Sequence, residues 1–156
     1  MERAAEVQPP AGLNRLALSA TVHCLTGCAS GEVLGMVIGT ALGWSDLATV
    51  ALAVALAFLF GYSLTSVPLL RSGMALTAVV SVALASDTAS IAVMEVVDNA
   101  IMLLMPGAME LGATDPGFWG ALAVALLITG VVAYPVNRWL LARGRGHAVV
   151  HQHHAH

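Results

Sequence analysis

Residues 23–43 read HCLTGCASGEVLGMVIGTALG, and two periodic rows lie on them. Gly27, Gly31, Gly35, Gly39 and Gly43 recur every fourth residue. One position further along, Cys24, Cys28, Glu32 and Met36 recur at the same interval. Positions four apart stand above one another on a helix, so each row predicts a stripe on one helical segment. A row of small residues lets a second helix backbone approach closely inside a membrane. The neighbouring stripe carries two thiols, a carboxyl and a thioether, which are metal ligands and proton carriers rather than lipid-facing groups.

Composition sets the medium. The chain of 156 residues is 58% apolar and 10% charged, against about 25% charged in a typical soluble protein. With a mean hydropathy of +0.85, this is the composition of an integral membrane protein. A net charge of −3 and the lack of a basic patch exclude nucleic-acid binding. Two cysteines do not make a disulfide framework, and a bond between positions four apart would strain a helix, so both are expected as free thiols. Leu25, Thr26, Gly27 and Cys28 resemble a lipoprotein cleavage box. Because His23 and Cys24 interrupt the run before it and apolar helix continues after it, a membrane span is the better reading.

Outward from the opening stretch, the pattern predicts an all-α bundle of four transmembrane helices. Residues 1–15 are polar with a Pro pair and read as a mobile arm. The first helix is expected over residues 16–42, with Gly43 as its cap and Ser45 or Asp46 opening the next. The second, over residues 47–70, is nearly uniform and apolar, and reads as scaffold. The third segment, residues 74–105, is long: its 32 residues would extend about 48 Å against a hydrocarbon core of about 30 Å. A break or bend is expected at Ser86, Asp87 and Thr88, leaving residues 86–105 as the spanning part. Asp115 and Pro116 mark the start of the fourth helix, over residues 117–141, and residues 142–156 form a basic, His-rich tail. The folded unit is thus residues 16–141.

Arg3, Arg15, Arg71, Arg138, Arg143 and Arg145 all fall on one side of this topology, while the two opposite loops contain no basic residue. By the positive-inside rule both termini are cytoplasmic and the protein sits in the plasma (inner) membrane.

Four of the nine acidic residues lie inside predicted spans: Glu32, Asp87, Glu95 and Asp98. A charge at the bilayer centre costs at least about 2.5–3.5 kcal/mol, so four unpaired carboxylates would cost on the order of 10 kcal/mol. They must be protonated, hydrogen-bonded to each other or to Asn99, hydrated, or bound to a cation. The first and third segments run the same way, so depths can be matched across the bilayer. A single offset pairs Cys24 with Ser90, Cys28 with Met94, Glu32 with Asp98, and Met36 with Met102.

Thiolate and thioether suit Cu(I), whereas Cys with His and carboxylate suits Zn(II). His23, Cys24, Cys28, Glu32, Met36, Met94, Glu95, Asp98 and Met102 are therefore the expected ligands of a copper or zinc route, with Asp87 and Asn99 in support. Gap-filling in a small-residue interface is the competing reading of each sulfur. His147, His151, His153, His154 and His156 in the tail could capture metal or simply solvate it.

Three strings, residues 23–39 (HCLTGCASGEVLGMVIG), 86–109 (SDTASIAVMEVVDNAIMLLMPGAM) and 134–151 (YPVNRWLLARGRGHAVVH), resemble a prokaryotic family of small membrane proteins described only as a domain of unknown function. The resemblance covers about residues 16–150 and implies a four-helix membrane protein. It implies no activity.

The leading expectation is membrane binding or translocation of a copper or zinc cation between the first and third helices. A transport role in four spans points to a homo-oligomer. The alternative is a structural or assembly subunit that packs on a larger complex through its glycine row, here Gly27, Gly31, Gly35 and Gly39. No Ser-His-Asp order, Cys-x-x-Cys pair, HExxH motif or phosphate loop appears, so an enzyme is not expected.

Overall fold

Four α-helices follow one another in the computed structural model, which describes residues 10–143: α1 (Pro10–Ala41), α2 (Asp46–Arg71), α3 (Leu76–Leu104) and α4 (Pro116–Ala142). Each is long and apolar enough to cross a bilayer. Their outer faces carry Leu47, Leu104, Leu127 and Val131, all more than two-thirds exposed. That surface is stable only against lipid, and the chain is a multi-pass membrane protein.

Local chemistry sets the helix ends. Past α1, the Gly43 and Trp44 amides donate back to Thr40 and Gly39, and Gly43 takes a left-handed φ of 66° that favours glycine. The side chain of Ser45 accepts from the Ala48 amide at the start of α2. Asp115 accepts from the Gly117 amide at 2.7 Å, and Pro116 opens α4 where no amide donor is needed.

The glycine row of α1 meets a row on α2 that is its counterpart. The buried face of α2 is Thr49, Ala53, Ala57, Gly61, Thr65 and Leu69, again every fourth residue. The helices are antiparallel, so each step of four along α1 is matched by a step of four back along α2. Gly27 faces Gly61, Gly31 faces Ala57, Gly35 faces Ala53, and Gly39 faces Thr49. A Cβ added at Gly27 would lie 2.9 Å from the Gly61 Cα, and one at Gly31 or Gly35 would collide with backbone atoms of Ala57 or Ala53. The expected close approach is therefore real, and it is made within the chain.

α3 and α4 close the bundle. Ile91 of α3 seats its terminal methyl against Gly61 of α2, and the Tyr62 and Thr88 hydroxyls hydrogen-bond at 2.8 Å. On α4, Asn137 donates to Thr21 at 3.0 Å and Arg138 donates to Asn14 at 2.7 Å, tying the end of α4 to the start of α1. Arg15, Arg71, Arg138 and Arg143 are exposed at this end of the bundle, and Trp44 and Trp119 at the other.

Two expectations need correction. The third segment is not broken at residues 86–88: α3 runs unbroken from Leu76 to Leu104. Its central hydroxyls bond along the helix itself. Ser86 bonds the Ala83 carbonyl and the Asp87 carboxyl, and Thr88 bonds the Leu84 carbonyl, so no backbone group is released. The N-terminal arm is also shorter than residues 1–15, because helix begins at Pro10. Leu13, Leu16 and Ala17 give that first stretch an apolar face against Tyr134 and Leu141. Residues 1–9 of the arm and the tail histidines His147, His151, His153, His154 and His156 lie outside the described residues.

Glycine substitutions separate close packing from helix propensity. Gly31→Leu should destabilise the bundle by at least about 1–3 kcal/mol through forced separation of α1 and α2. Gly120→Ala on α4, where an added Cβ meets nothing within 4 Å, should be neutral or stabilising. Unfolding of the purified protein in detergent measures both.

Candidate functional site

α2 holds the glycine face of α1, and this turns the adjacent stripe of α1 inward to α3. The two helices run parallel, and their contacts keep an offset of 66 residues. Ser90 donates to the Cys24 sulfur at 3.4 Å. The carboxyls of Glu32 and Asp98 lie within hydrogen-bond reach of each other. Met94 packs with Cys24 and Cys28 in one cluster, and Met36 shares another with Met102. Of the four depth-matched pairs, Cys24 meets Ser90 and Glu32 meets Asp98, while Cys28 with Met94 and Met36 with Met102 each share an apolar cluster.

The result is a polar column along the bundle axis. Asn137 and Thr21 lie at the arginine-bearing end. Next, His23 faces Thr65 across α1 and α2 at 3.4 Å, and Ser86 donates to Asp87 at 2.8 Å on α3. Cys24 and Ser90 follow, then the Cys28 thiol facing the Glu95 carboxyl. Asn99 donates to Glu95 at 3.2 Å. The last tier is Glu32 with Asp98, which also accepts from Thr129 of α4 at 3.4 Å. From Thr21 to Met36 this column covers about 22 Å at the helical rise.

Burial makes the carboxyl tier unusual. Glu32, Asp87, Glu95 and Asp98 are each no more than 4% exposed. One oxygen on each of Glu32, Glu95 and Asp98 receives no N–H or hydroxyl donor. Two carboxylates this close repel each other unless a proton or a cation lies between them. A buried acceptor left undonated costs about 1–3 kcal/mol, more when charged. Folded proteins keep such groups where a proton or a cation is to be held.

Beyond Glu32, toward the loop between α3 and α4, lies a small cavity. Glu32, Met36, Asn99, Met102, Met109 and Phe118 are among its lining residues. It offers about 10 Å³ to a water-sized molecule, room for about one.

The expected ligands do not gather into a single centre. Glu32, Met36, Met102 and Asn99 line the cavity, while Cys24, Cys28 and Met94 sit one to three turns further along α1 and α3. His23 and Asp87 belong to the polar tier nearer the arginine-bearing end. Both cysteines are buried and neither forms a disulfide, as expected. Among the described residues, no three of His, Cys, Asp and Glu are disposed to hold a metal ion. The donors are strung along the axis in ones and twos.

Thr129, Thr65 and Met109 are among the contributors that the sequence did not single out. Thr129 stands alone in the apolar run ITGVV, and a hydroxyl there is a readable signal of an interior partner. Thr65 belongs to the α2 row, whose four-residue spacing is equally readable. Met109 lies in the loop that follows α3, where periodicity offers no guide.

Residues 14–146 match a family described as a domain of unknown function, DUF4396, which covers most of the chain, so the chain belongs to that family. No curated protein and no solved structure matches it.

The carboxyl pair can be tested by supplying or withholding a donor. Glu32→Gln offers Asp98 an N–H donor and removes the second acid, and should stay within about 1 kcal/mol of the parent. Glu32→Leu, similar in size but without a donor, should cost about 1–3 kcal/mol. Denaturant titration in micelles reads the order, and the opposite order would show that the two carboxyls do not stabilise each other.

Proposed function

We propose that this member of the DUF4396 family binds and translocates a transition-metal cation, copper or zinc, along the face between α1 and α3. The buried carboxyl tier carries the reading. Glu32, Glu95 and Asp98 each keep an undonated oxygen deep inside an apolar bundle, and the Cys28 thiol faces Glu95. A cation or a proton stabilises such oxygens, and neighbouring sulfur favours a soft or borderline metal over a hard one.

In this reading, cation and proton exchange at the tier. The Glu32–Asp98 pair gives up its shared proton as the cation arrives and regains it as the cation leaves. Donors in ones and twos suit passage, because a complete tetrahedral set would hold the ion tightly. Cys24 and Cys28 are the next stops along the column, and His23 and Thr65 lead toward the arginine-bearing end. By the positive-inside rule that end faces the cytoplasm of a cell whose plasma membrane holds the protein, with both termini inside. Homo-oligomerisation would supply what four spans lack for gating. The tail histidines fit a capture arm on the same side. Binding and passage need no covalent chemistry, and the protein is read as a carrier, not an enzyme.

The glycine row favours this over an assembly role. Its residues are already in contact with α2, so docking a second protein through them would require displacing that helix.

Flux through proteoliposomes containing a trapped metal indicator tests the proposal. Wild-type protein should admit Cu(I) or Zn(II) faster than empty vesicles. Glu32→Gln and Asp98→Asn should lose at least about ten-fold, equivalent to about 1.4 kcal/mol. Equal flux with and without the protein would refute it.

A further inference from the structure

We propose that the cavity at the loop end of the column is a binding site for a soft monovalent cation, Cu(I), held by the thioethers of Met36, Met102 and Met109 with Glu32 as counter-charge. This rests on the cation reading above and deepens it, because it names the ion, its oxidation state and the place where it is first held.

Three observations converge. The cavity receives a methionine from each of three separate elements: Met36 from α1, Met102 from α3 and Met109 from the loop between α3 and α4. A thioether is a neutral, soft donor that selects Cu(I) and serves zinc poorly, and it needs no deprotonation to bind. Glu32 also lines the cavity, is 4% exposed, and has one oxygen without a donor. An apolar cavity lined by three thioethers and one buried carboxyl is a built receptor for a soft cation.

Charge and size decide between ions. Glu32 is the one carboxyl among the described residues that line the cavity, a single counter-charge that one monovalent ion matches. A divalent ion would need a further carboxylate, and Glu95 is not among the residues that line the cavity. Room for about one water admits a bare ion and excludes a hydrated one. Asn99, also at the cavity wall, already donates to Glu95 and links this chamber to the thiol tier. The cation therefore sheds its water at the loop, rests among thioethers, and moves on past Asp98 to Cys28.

Cu(I) titration of the full-length protein in nanodiscs, under reductant and against a chromogenic Cu(I) chelator, tests this. Wild type should bind one Cu(I) per chain. Met109→Leu, which changes a loop residue and leaves the helices intact, should weaken binding at least ten-fold, and Met36→Leu/Met102→Leu should weaken it further. Cys24→Ser/Cys28→Ser should keep the affinity, because neither thiol lines the cavity. Copper X-ray absorption of the wild-type complex should show sulfur neighbours that Met109→Leu reduces in number. Unchanged affinity in Met109→Leu and in Met36→Leu/Met102→Leu would overturn the thioether site. If Cys24→Ser/Cys28→Ser or Glu32→Gln then abolished binding, the broader cation reading would survive. A wild-type protein that bound neither Cu(I) nor Zn(II) would overturn both.

Discussion

The close approach of α1 and α2 is the constraint on which the rest depends. Four glycines on one helix and Thr49, Ala53, Ala57 and Gly61 on the other bring two backbones nearly into contact over most of a membrane span. In lipid there is no hydrophobic driving force between helices, so this association relies on van der Waals packing over a long, shape-matched seam. Once the seam is fixed, the rotation of α1 about its axis is fixed as well. The stripe one position on, Cys24 to Met36, can then only face the interior, where α3 meets it. Packing of inert residues thus aims the reactive ones.

Energy explains why the interior face is polar in both helices at once. A lone carboxyl inside a bilayer is costly, yet Glu32 on α1 finds Asp98 on α3, and Glu95 finds Asn99 and the Cys28 thiol. Each acid is stabilised by a partner at its own depth, and Thr129 of α4 adds a hydroxyl donor to Asp98. Satisfaction is incomplete, and the incompleteness is localised. Glu32, Glu95 and Asp98 each keep an oxygen with no N–H or hydroxyl donor, and Glu32 also lines the cavity whose walls carry Met36, Met102 and Met109.

Much of this was legible before any coordinates. Helical spans follow from unbroken apolar runs, and the depth matching of α1 with α3 follows from their shared direction and equal four-residue spacing. The polar stop at Ser86–Thr88 misled because its length argument ignored tilt and because serine and threonine hydroxyls can bond their own helix carbonyls. Helix α2 looked uniform because Ala and Thr are small without being glycine; its row is visible only when size, not glycine identity, is the criterion. Met109 was out of reach altogether. It lies in the loop, whose path is set by tertiary packing against Ala108, Phe118 and Leu122 rather than by any period in the sequence.

The α1–α2 seam places Glu32 of α1 against Asp98 of α3 within one chain. Paired cysteines in native membranes measure this most directly. In a Cys24→Ser/Cys28→Ser background, Glu32→Cys with Asp98→Cys should form an intramolecular bond on mild oxidation or with a short bis-thiosulfonate, read as a mobility shift of the monomer. Leu34→Cys with Asp98→Cys, which moves the first thiol to the lipid-facing side of α1, should not. Absence of the bond in the 32–98 pair, or its appearance only between two chains, would contradict the account.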